Sequence, residues 1–232
     1  DLGIGSAPGG DARSAEALAA PAGTGGAARQ RYADQARDLL GFLKGQLPAS
    51  HRFADVRVLP DCPTPPEPFM LCRSEGSGRL AGALGYNLAL GLFTGGGDPS
   101  PACVRAYREA CGDRRGHAVL AVAVVCAEDG ARARALATTG ALWAAQVAVT
   151  GDFGHGLVDP SEIDAGALSA TGRAVFDAIL RDAVLGTPGE CRAQLERLRE
   201  QYGADELMIV TSTHDFDARV RSYELLARAF AC

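Results

Sequence analysis

Lysine is almost absent from this sequence, and basic residues form no run. Of the 23 basic residues in the 232-residue chain, only Lys44 is a lysine, and the net charge is −5. Binding to nucleic acid requires clustered lysine and arginine side chains, because these neutralise the phosphates. The sequence therefore predicts a protein that does not bind nucleic acid.

Long hydrophobic runs are also missing. No apolar stretch reaches the roughly 20 residues that span a bilayer. The N-terminus has neither the basic nor the apolar segment of a signal peptide. These absences predict a cytoplasmic protein without a membrane segment. The sequence starts with Asp1 and not with Met, which leaves open whether the chain is processed or trimmed.

The cysteines form no metal-binding pattern. There are seven, an odd number, and no CxxC pair is present. Cys103 and Cys111 are spaced to share a helix face, but no cluster of histidine and cysteine completes a site. We therefore expect no metal and a set of reduced, mostly buried thiols. The cysteines are Cys62, Cys72, Cys103, Cys111, Cys126, Cys191 and Cys232.

Apolar patterning alternates between strands and helices along the chain. The run from His117 to Cys126 is almost entirely apolar, which is typical of a strand buried on both faces. Pro48 is expected to end the first helix. The predicted strands cover residues 1–5, 69–72, 87–93, 117–126 and 206–211, and the predicted helices cover residues 28–47, 78–84, 101–111, 127–149, 169–185, 188–201 and 217–231.

Strands separated by helices imply parallel pairing through βαβ crossovers. We expect a single α/β domain over residues 1–232 with five parallel strands, in which residues 150–186 form an insertion. A partial TIM-type (β/α) barrel and an open doubly wound sheet both fit this count. In either fold the loops that follow the carboxyl ends of the strands carry the ligand.

The segment from Leu71 to Ser77, with the sequence LCRSEGS, is the most informative motif. It joins a buried strand to the start of a helix, where free backbone N–H groups and a partial positive charge favour an anion. A phosphate there would also meet the hydroxyls of Ser74 and Ser77 and the guanidinium of Arg73. The alternative is a capped helix, with Ser74 as its N-cap and Ser77 three residues further on.

A second candidate segment, GIGSAPGG from Gly3 to Gly10, follows the first strand. It includes Gly5 and Ser6. Small residues let a flat ring or a phosphate approach the backbone. A tight turn explains the same residues, and the segment is not a GxGxxG motif.

The histidines are scattered along the chain. His155 lies in a glycine-rich loop, where exposure is the default. His214 follows the last strand. Its neighbours Asp215, Asp217 and Arg219 could pair with it or cap the last helix, and we favour capping. His51 and His117 are interpreted as structural. With no GxSxG motif and no Cys–His signature, the sequence assigns no catalytic residue.

Several of these segments resemble the luciferase-like flavin monooxygenase family. DLGIGSAPGG resembles the family's LGIGRAPG, and LCRSEGSG followed by LAGALG is similar to its LGSSxxSAxLAAxLGLP. The family's closing pattern is matched by GTPGE at Gly186–Glu190, ADELM at Ala204–Met208, His214 with Asp215, and RSYELLA at Arg221–Ala227. The resemblance implies an FMN-binding barrel that here lacks about the first three βα units.

The resemblance also implies a set of flavin contacts. Gly5 and Ser6 would lie near the isoalloxazine and the phosphate, Arg73 and Ser74 would supply backbone donors, and Ser77 would supply a hydroxyl. Ser6 stands where the family has an arginine and Arg73 where it has a small residue, so a guanidinium would reach the phosphate from the other loop. The family's His-Phe after the next strand is replaced by Leu92-Phe93 and the following residues.

The activity implied is that of an FMN-linked monooxygenase acting on a small organic molecule, with a flavin reductase as partner and a homodimer as the assembly. A tailoring role in secondary metabolism fits by analogy. Two alternatives remain. One is a degenerate flavin-binding or partner-subunit protein without turnover. The other is a non-redox enzyme on the same scaffold.

Overall fold

A computed structural model describes residues 1–6, 13, 16, 26–60, 63–93, 100–154 and 156–231. The chain divides into two compact units. The first consists of Asp1–Ala89 and Ala102–Gly116, and the second of Leu90–Pro101 and His117–Cys232. We describe each unit separately.

In the described part of the first unit, three strands alternate with three helices. They are β1 (Leu2–Ile4), α1 (Gly26–Lys44), β2 (Pro68–Cys72), α2 (Glu75–Leu84), β3 (Asn87–Gly91) and α3 (Ala102–Cys111). The strand order is β1-β2-β3, and β1 pairs with β2 in parallel, with Ile4 opposite Met70. The last two residues of β3 belong to the second unit.

The second unit contains the longest strand of the chain, β4 (Ala118–Cys126). Its other elements are α4 (Gly130–Thr150), two short 3-10 turns at Pro160–Glu162 and Ala165–Ala167, α5 (Ala170–Asp182), β5 (Val184–Gly186), α6 (Pro188–Tyr202), β6 (Glu206–Val210) and α7 (Phe216–Phe230). β4 pairs in parallel with both β5 and β6. Val119–Ala123 lie opposite β6, and Val124–Cys126 lie opposite β5.

The two-sided burial predicted for the 117–126 run is confirmed. Eight of the nine residues of β4 are buried, and Ala123 is half-buried. Residues that alternate along a strand face opposite sides of the sheet. Burial of both sets therefore requires layers on both faces, which is the arrangement expected of a parallel sheet.

Several boundaries differ from the sequence predictions. Residues 184–186 form the strand β5, so the structure has six strands where five were predicted, and α5 ends at Asp182. Helix α2 starts at Glu75, three residues before the predicted start. Helix α1 ends at Lys44, because Gly45 adopts the left-handed conformation at φ 61° and ends the helix before Pro48. Burial of β1 is only partial.

Helix α2 packs closely on α3 in the first unit. A Cβ at Gly78 would lie 2.4 Å from the carbonyl oxygen of Cys103, and a Cβ at Gly82 would lie 2.5 Å from that of Tyr107. Both distances are shorter than the non-bonded contacts that Cβ atoms make in proteins, so only glycine lets the two helices approach this closely. The two glycines are four residues apart and share one face of α2.

The predicted fold class is confirmed: strands alternate with helices in an α/β fold, and the pairs β1–β2, β4–β5 and β4–β6 are parallel. No helix in the described part of the chain is both long enough and apolar enough to cross a membrane.

Candidate functional site

The carboxyl ends of β1 and β2 bring the two predicted loops together in the first unit. These strands are parallel, so their ends lie at the same edge. Gly5 follows β1, and a Cβ at this position would lie 3.7 Å from the Cβ of Leu71. Gly5 and Ser6 are exposed, as are Arg73 and Ser74 beyond the end of β2. Adjacent loops therefore carry the candidate residues.

Ser74 and Ser77 form a reciprocal capping box at the start of α2. The Ser74 Oγ accepts a hydrogen bond from the Ser77 amide at 3.2 Å, and the Ser77 Oγ accepts one from the Ser74 amide at 3.0 Å. The Arg73 amide also donates to the Ser77 Oγ, at 3.2 Å. The capped-helix interpretation of this motif is therefore confirmed. It does not exclude a ligand, because both serines remain at the accessible start of the helix.

Two backbone donors remain at this end of α2. The first four amides of a helix lack an intrahelical carbonyl partner. Here the capping box binds the amide of Ser77, and the amide of Gly78 donates to the carbonyl of Ser74 at 2.9 Å. The amides of Glu75 and Gly76 are then the positions at which the helix can donate to an anion.

The charges around this helix start are partly compensated. Glu75 lies in the first turn of α2, where its negative charge opposes a bound anion. Arg79 lies one turn further on and pairs with both Glu75 and Glu109, each at 3.6 Å. Arg79 offsets part of this negative charge, and the exposed Arg73 adds positive charge beside the loop.

The buried thiol of Cys72 lies at the end of β2. The hydrogen bond with the Cys103 thiol, together with burial, raises the pKa of Cys72 above its usual range. The Cys72 thiol donates to the Met70 carbonyl at 3.5 Å. Burial likewise raises the pKa of Tyr32 to about 12, with Cys72 as a neighbour. The Cys72 thiol and the Tyr32 hydroxyl therefore stay protonated and uncharged.

Two histidines of the second unit pair with carboxylates. His214 Nδ1 lies 3.9 Å from a carboxylate oxygen of Asp159, while Asp215 caps α7 as predicted. Hydrogen bonds from Ser161 lower the pKa of Asp159, and the charge of His214 adds to this. His117 pairs with Glu206 at 2.9 Å, in a structural setting at the start of β4 and β6. His155 lies outside the described residues.

His51 also occupies a structural setting. Its Nδ1 accepts a hydrogen bond from the Phe53 amide at 3.3 Å, and its Nε2 lies 3.3 Å from Asp38. Among the residues that the structure describes, no group of three or more His, Cys, Asp or Glu side chains could hold a metal ion.

The free-thiol prediction agrees with the structure where it can be compared. Five cysteines are free and buried: Cys72, Cys103, Cys111, Cys126 and Cys191. Cys62 and Cys232 lie outside the described residues.

One feature of the second unit has no counterpart in the sequence predictions. It is an apolar cavity of about 470 Å³ whose wall includes Phe93, Trp143 and Ser212. These residues follow β3, lie within α4 and follow β6. No local pattern relates positions so far apart in sequence. The small-residue composition of α4 is the only feature of the sequence that points to this cavity.

Parallel strand pairs that alternate with helices, with two adjacent loops at one carboxyl edge, define a protein of the α/β class, and comparison with known proteins narrows this class. Two proteins of Bacillus subtilis (strain 168), YceB and YwcH, are each 30% identical to the chain. The matches cover 99% and 100% of this chain, and 69% of each relative. The chain thus spans about two thirds of their length. No family model matches the chain.

Solved structures agree with this comparison. The crystal structure of apo-MsnO8 is 27% identical, with a TM-score of 0.73 over 99% of this chain and 67% of that one. The monooxygenase RslO1 from Streptomyces bottropensis has a TM-score of 0.64 over the same shares, and its 19% identity shows the fold alone. The chain belongs to the luciferase-like flavin monooxygenase family.

Proposed function

We propose that the protein is an FMN-linked monooxygenase that acts on a small organic molecule. Family membership supports this proposal, and one observation of the structure carries it. The start of α2, with its free amides and the adjacent Arg73, lies at the same strand edge as the exposed Gly5 and Ser6. Helix starts of this kind bind phosphate through backbone donors and the helix dipole.

The chemistry of this loop pair fits a flavin phosphate. The amides of Glu75 and Gly76 would donate to the phosphate oxygens, and the hydroxyls of Ser74 and Ser77 lie 3.1 Å apart at the same helix start. Arg73 would add a charge-assisted bond. Position 5 carries no side chain, so Gly5 leaves the adjacent backbone open to a ring or a phosphate.

Bound FMN would supply, once reduced, the oxygen activation through which one oxygen atom reaches the substrate. The residues of this chain would bind the phosphate and orient the cofactor. Because reduced flavin must be supplied, we propose a flavin reductase as partner. We also propose a homodimer and a reducing, cytoplasmic location, the latter supported by the five free thiols.

A second candidate function is a protein of the same fold that performs no flavin chemistry. The capping box favours this alternative, because it satisfies the Ser74 and Ser77 hydroxyls without any ligand. A helix cap of this kind is sufficient reason for both serines.

Titration of the purified protein with FMN separates the two. If the proposal holds, the visible absorbance and the fluorescence of FMN change on binding, and FMN binds more tightly than riboflavin. Reduced FMN and oxygen should then give an oxygenated product with a suitable substrate. No bound flavin and no spectral change on titration would remove the proposal and leave the flavin-free alternative.

A further inference from the structure

The second unit contains an apolar cavity that the flavin proposal does not use. Its volume is about 470 Å³, and its walls come from β4, α4, α5 and the residues that follow β3 and β6. Empty voids larger than a water molecule are few in protein interiors. A volume of this size falls in the range of small-molecule pockets, about 300–1,000 Å³. The cavity is therefore large enough to be a binding site.

Small residues on one face of α4 keep this cavity open. Ala137, Gly140, Ala141 and Ala144 all line it. Their spacing of three, four and seven residues places them on a single helix face. A Cβ at Gly140 would lie 3.1 Å from the carbonyl oxygen of Ser212, so a larger residue there would press on the wall after β6. Larger side chains on this face would occupy the space.

The chemistry of the walls selects a neutral ligand. None of the described residues that line the cavity carries a charged side chain. An ion moved into such surroundings would lose its hydration without compensation, at a cost of several kcal/mol or more. Ser212 adds one hydroxyl to an otherwise mainly hydrocarbon wall.

Aromatic side chains mark one part of the wall. Trp143 and Phe93 both line the cavity. The ring of Trp143 makes an edge-to-face contact with Phe153, with ring centroids 6.1 Å apart and an interplanar angle of 66°. This contact holds the indole in place. A fixed indole favours a ligand with an aromatic ring, since such pairs contribute beyond the area they bury.

We propose that this cavity binds a neutral, largely apolar organic molecule that carries an aromatic ring. The site lies wholly within the second unit and does not depend on flavin binding. Its ligand is recognised by shape and by the absence of charged side chains among the described lining residues, and the Ser212 hydroxyl and the Trp143 indole N–H are polar groups of the wall.

A pair of fluorescent probes with one skeleton and different charge tests the proposal. N-phenyl-naphthylamine is neutral, whereas anilinonaphthalene sulfonate carries an anionic group. Trp143 is the only tryptophan of the chain, so energy transfer from this one donor measures binding of the probe to the protein. The protein without FMN should bind the neutral probe at least about tenfold more tightly than the anionic one.

Two matched variants test whether the neutral probe binds inside the cavity. Ala144→Leu adds volume inside the cavity and should weaken binding of the neutral probe at least about tenfold. Ala135→Leu makes the same change at an exposed position of α4 outside the cavity and should leave binding unchanged. If Ala144→Leu does not fold, Ala183→Leu on the opposite wall serves as a second test.

Three results would overturn the proposal: no energy transfer, equal binding of both probes, or equal binding to Ala144→Leu, or its substitute, and Ala135→Leu. Titration of the same variants with FMN keeps the two proposals apart. FMN affinity should be the same in Ala144→Leu and the wild type. Probe results that contradict the cavity proposal therefore do not affect the flavin proposal.

Discussion

Gly78 of α2 lies directly against the main chain of Cys103 in α3, where a Cβ would be 2.4 Å from the carbonyl oxygen. Gly78→Ala should therefore lower the free energy of unfolding, because backbone atoms cannot turn aside as a side chain can. We expect a loss of about 1–3 kcal/mol, measured by urea unfolding.

Gly76→Ala is the matched control for this prediction. It lies on the same helix, and the nearest atom to a Cβ there is the Ser74 Oγ at 3.9 Å. Its φ is not positive. Alanine at this position should change stability by less than about 1 kcal/mol, in the stabilising direction. Equal losses in both variants would contradict the close-packing argument.

The capping box of α6 predicts a specific pH dependence of stability. Hydrogen bonds from the Thr187 amide, at 2.9 Å, and from its hydroxyl, at 2.8 Å, lower the pKa of Glu190 below its ordinary 4.5. A lowered pKa in the folded state means that this stabilisation is present above the unfolded pKa and is lost as the pH falls through the folded value.

Glu190→Gln should accordingly reduce stability near neutral pH and have a smaller effect in acid. Urea unfolding between about pH 7 and about pH 3 measures the difference from wild type. Glu200→Gln, at an exposed position of the same helix, is the control. A difference for Glu190→Gln that does not shrink on acidification would show that the carboxylate plays no part.

Burial makes Cys191 chemically inert in the folded protein. Burial, reinforced by the neighbouring Cys126, raises the pKa of Cys191 to about 12. Since the thiolate is the reactive form, alkylation by iodoacetamide near pH 8 should be at least about a hundredfold slower in the native protein than in urea. Peptide mass spectrometry measures this at Cys191 alone, and comparable rates in both conditions would contradict it.

The proposed homodimer has a candidate surface on α7. Phe216, Val220, Tyr223 and Phe230 are all exposed, and they recur at spacings of four, three and seven residues along one helix face. Exposed apolar stripes of this kind favour association. Light scattering should show at least a dimer at micromolar concentration, and Val220→Glu should shift it towards monomer. A monodisperse wild-type monomer would contradict the proposal.

The sequence predicted those features that depend on local pattern. The apolar run of β4 carries its own signal, since two-sided burial is visible within a few residues, and the helix predicted over residues 188–201 is observed as α6. β5 has three residues, too few for the alternation of a strand to appear, and the sequence pattern instead predicts a helix up to residue 185.

Features that depend on tertiary contacts were not predictable. The glycines Gly78 and Gly82 looked like part of a small-residue helix, and only the position of α3 shows why larger residues are excluded. The cavity near Trp143 requires α4, α5 and the loop after β6 to meet. At the loop pair, the sequence predicted both the capping box and a phosphate site, and the structure confirms the first.

Arg73 decides whether the second interpretation of that loop is correct. If its guanidinium takes the place of the arginine absent at Ser6, it forms a charge-assisted bond to the flavin phosphate, and such bonds contribute about 1.5–3 kcal/mol. Arg73→Ala should then weaken FMN binding roughly 10- to 150-fold, because about 1.4 kcal/mol corresponds to a factor of ten. Riboflavin, which has no phosphate, should bind almost unchanged.

Ser6→Arg combined with Arg73→Ser should restore part of the FMN affinity, whereas Arg105→Ala, at an exposed position of α3, should leave it unchanged. Fluorescence titration of each variant with both flavins measures these affinities. Equal responses of FMN and riboflavin to Arg73→Ala would mean that the side chain only covers the helix end.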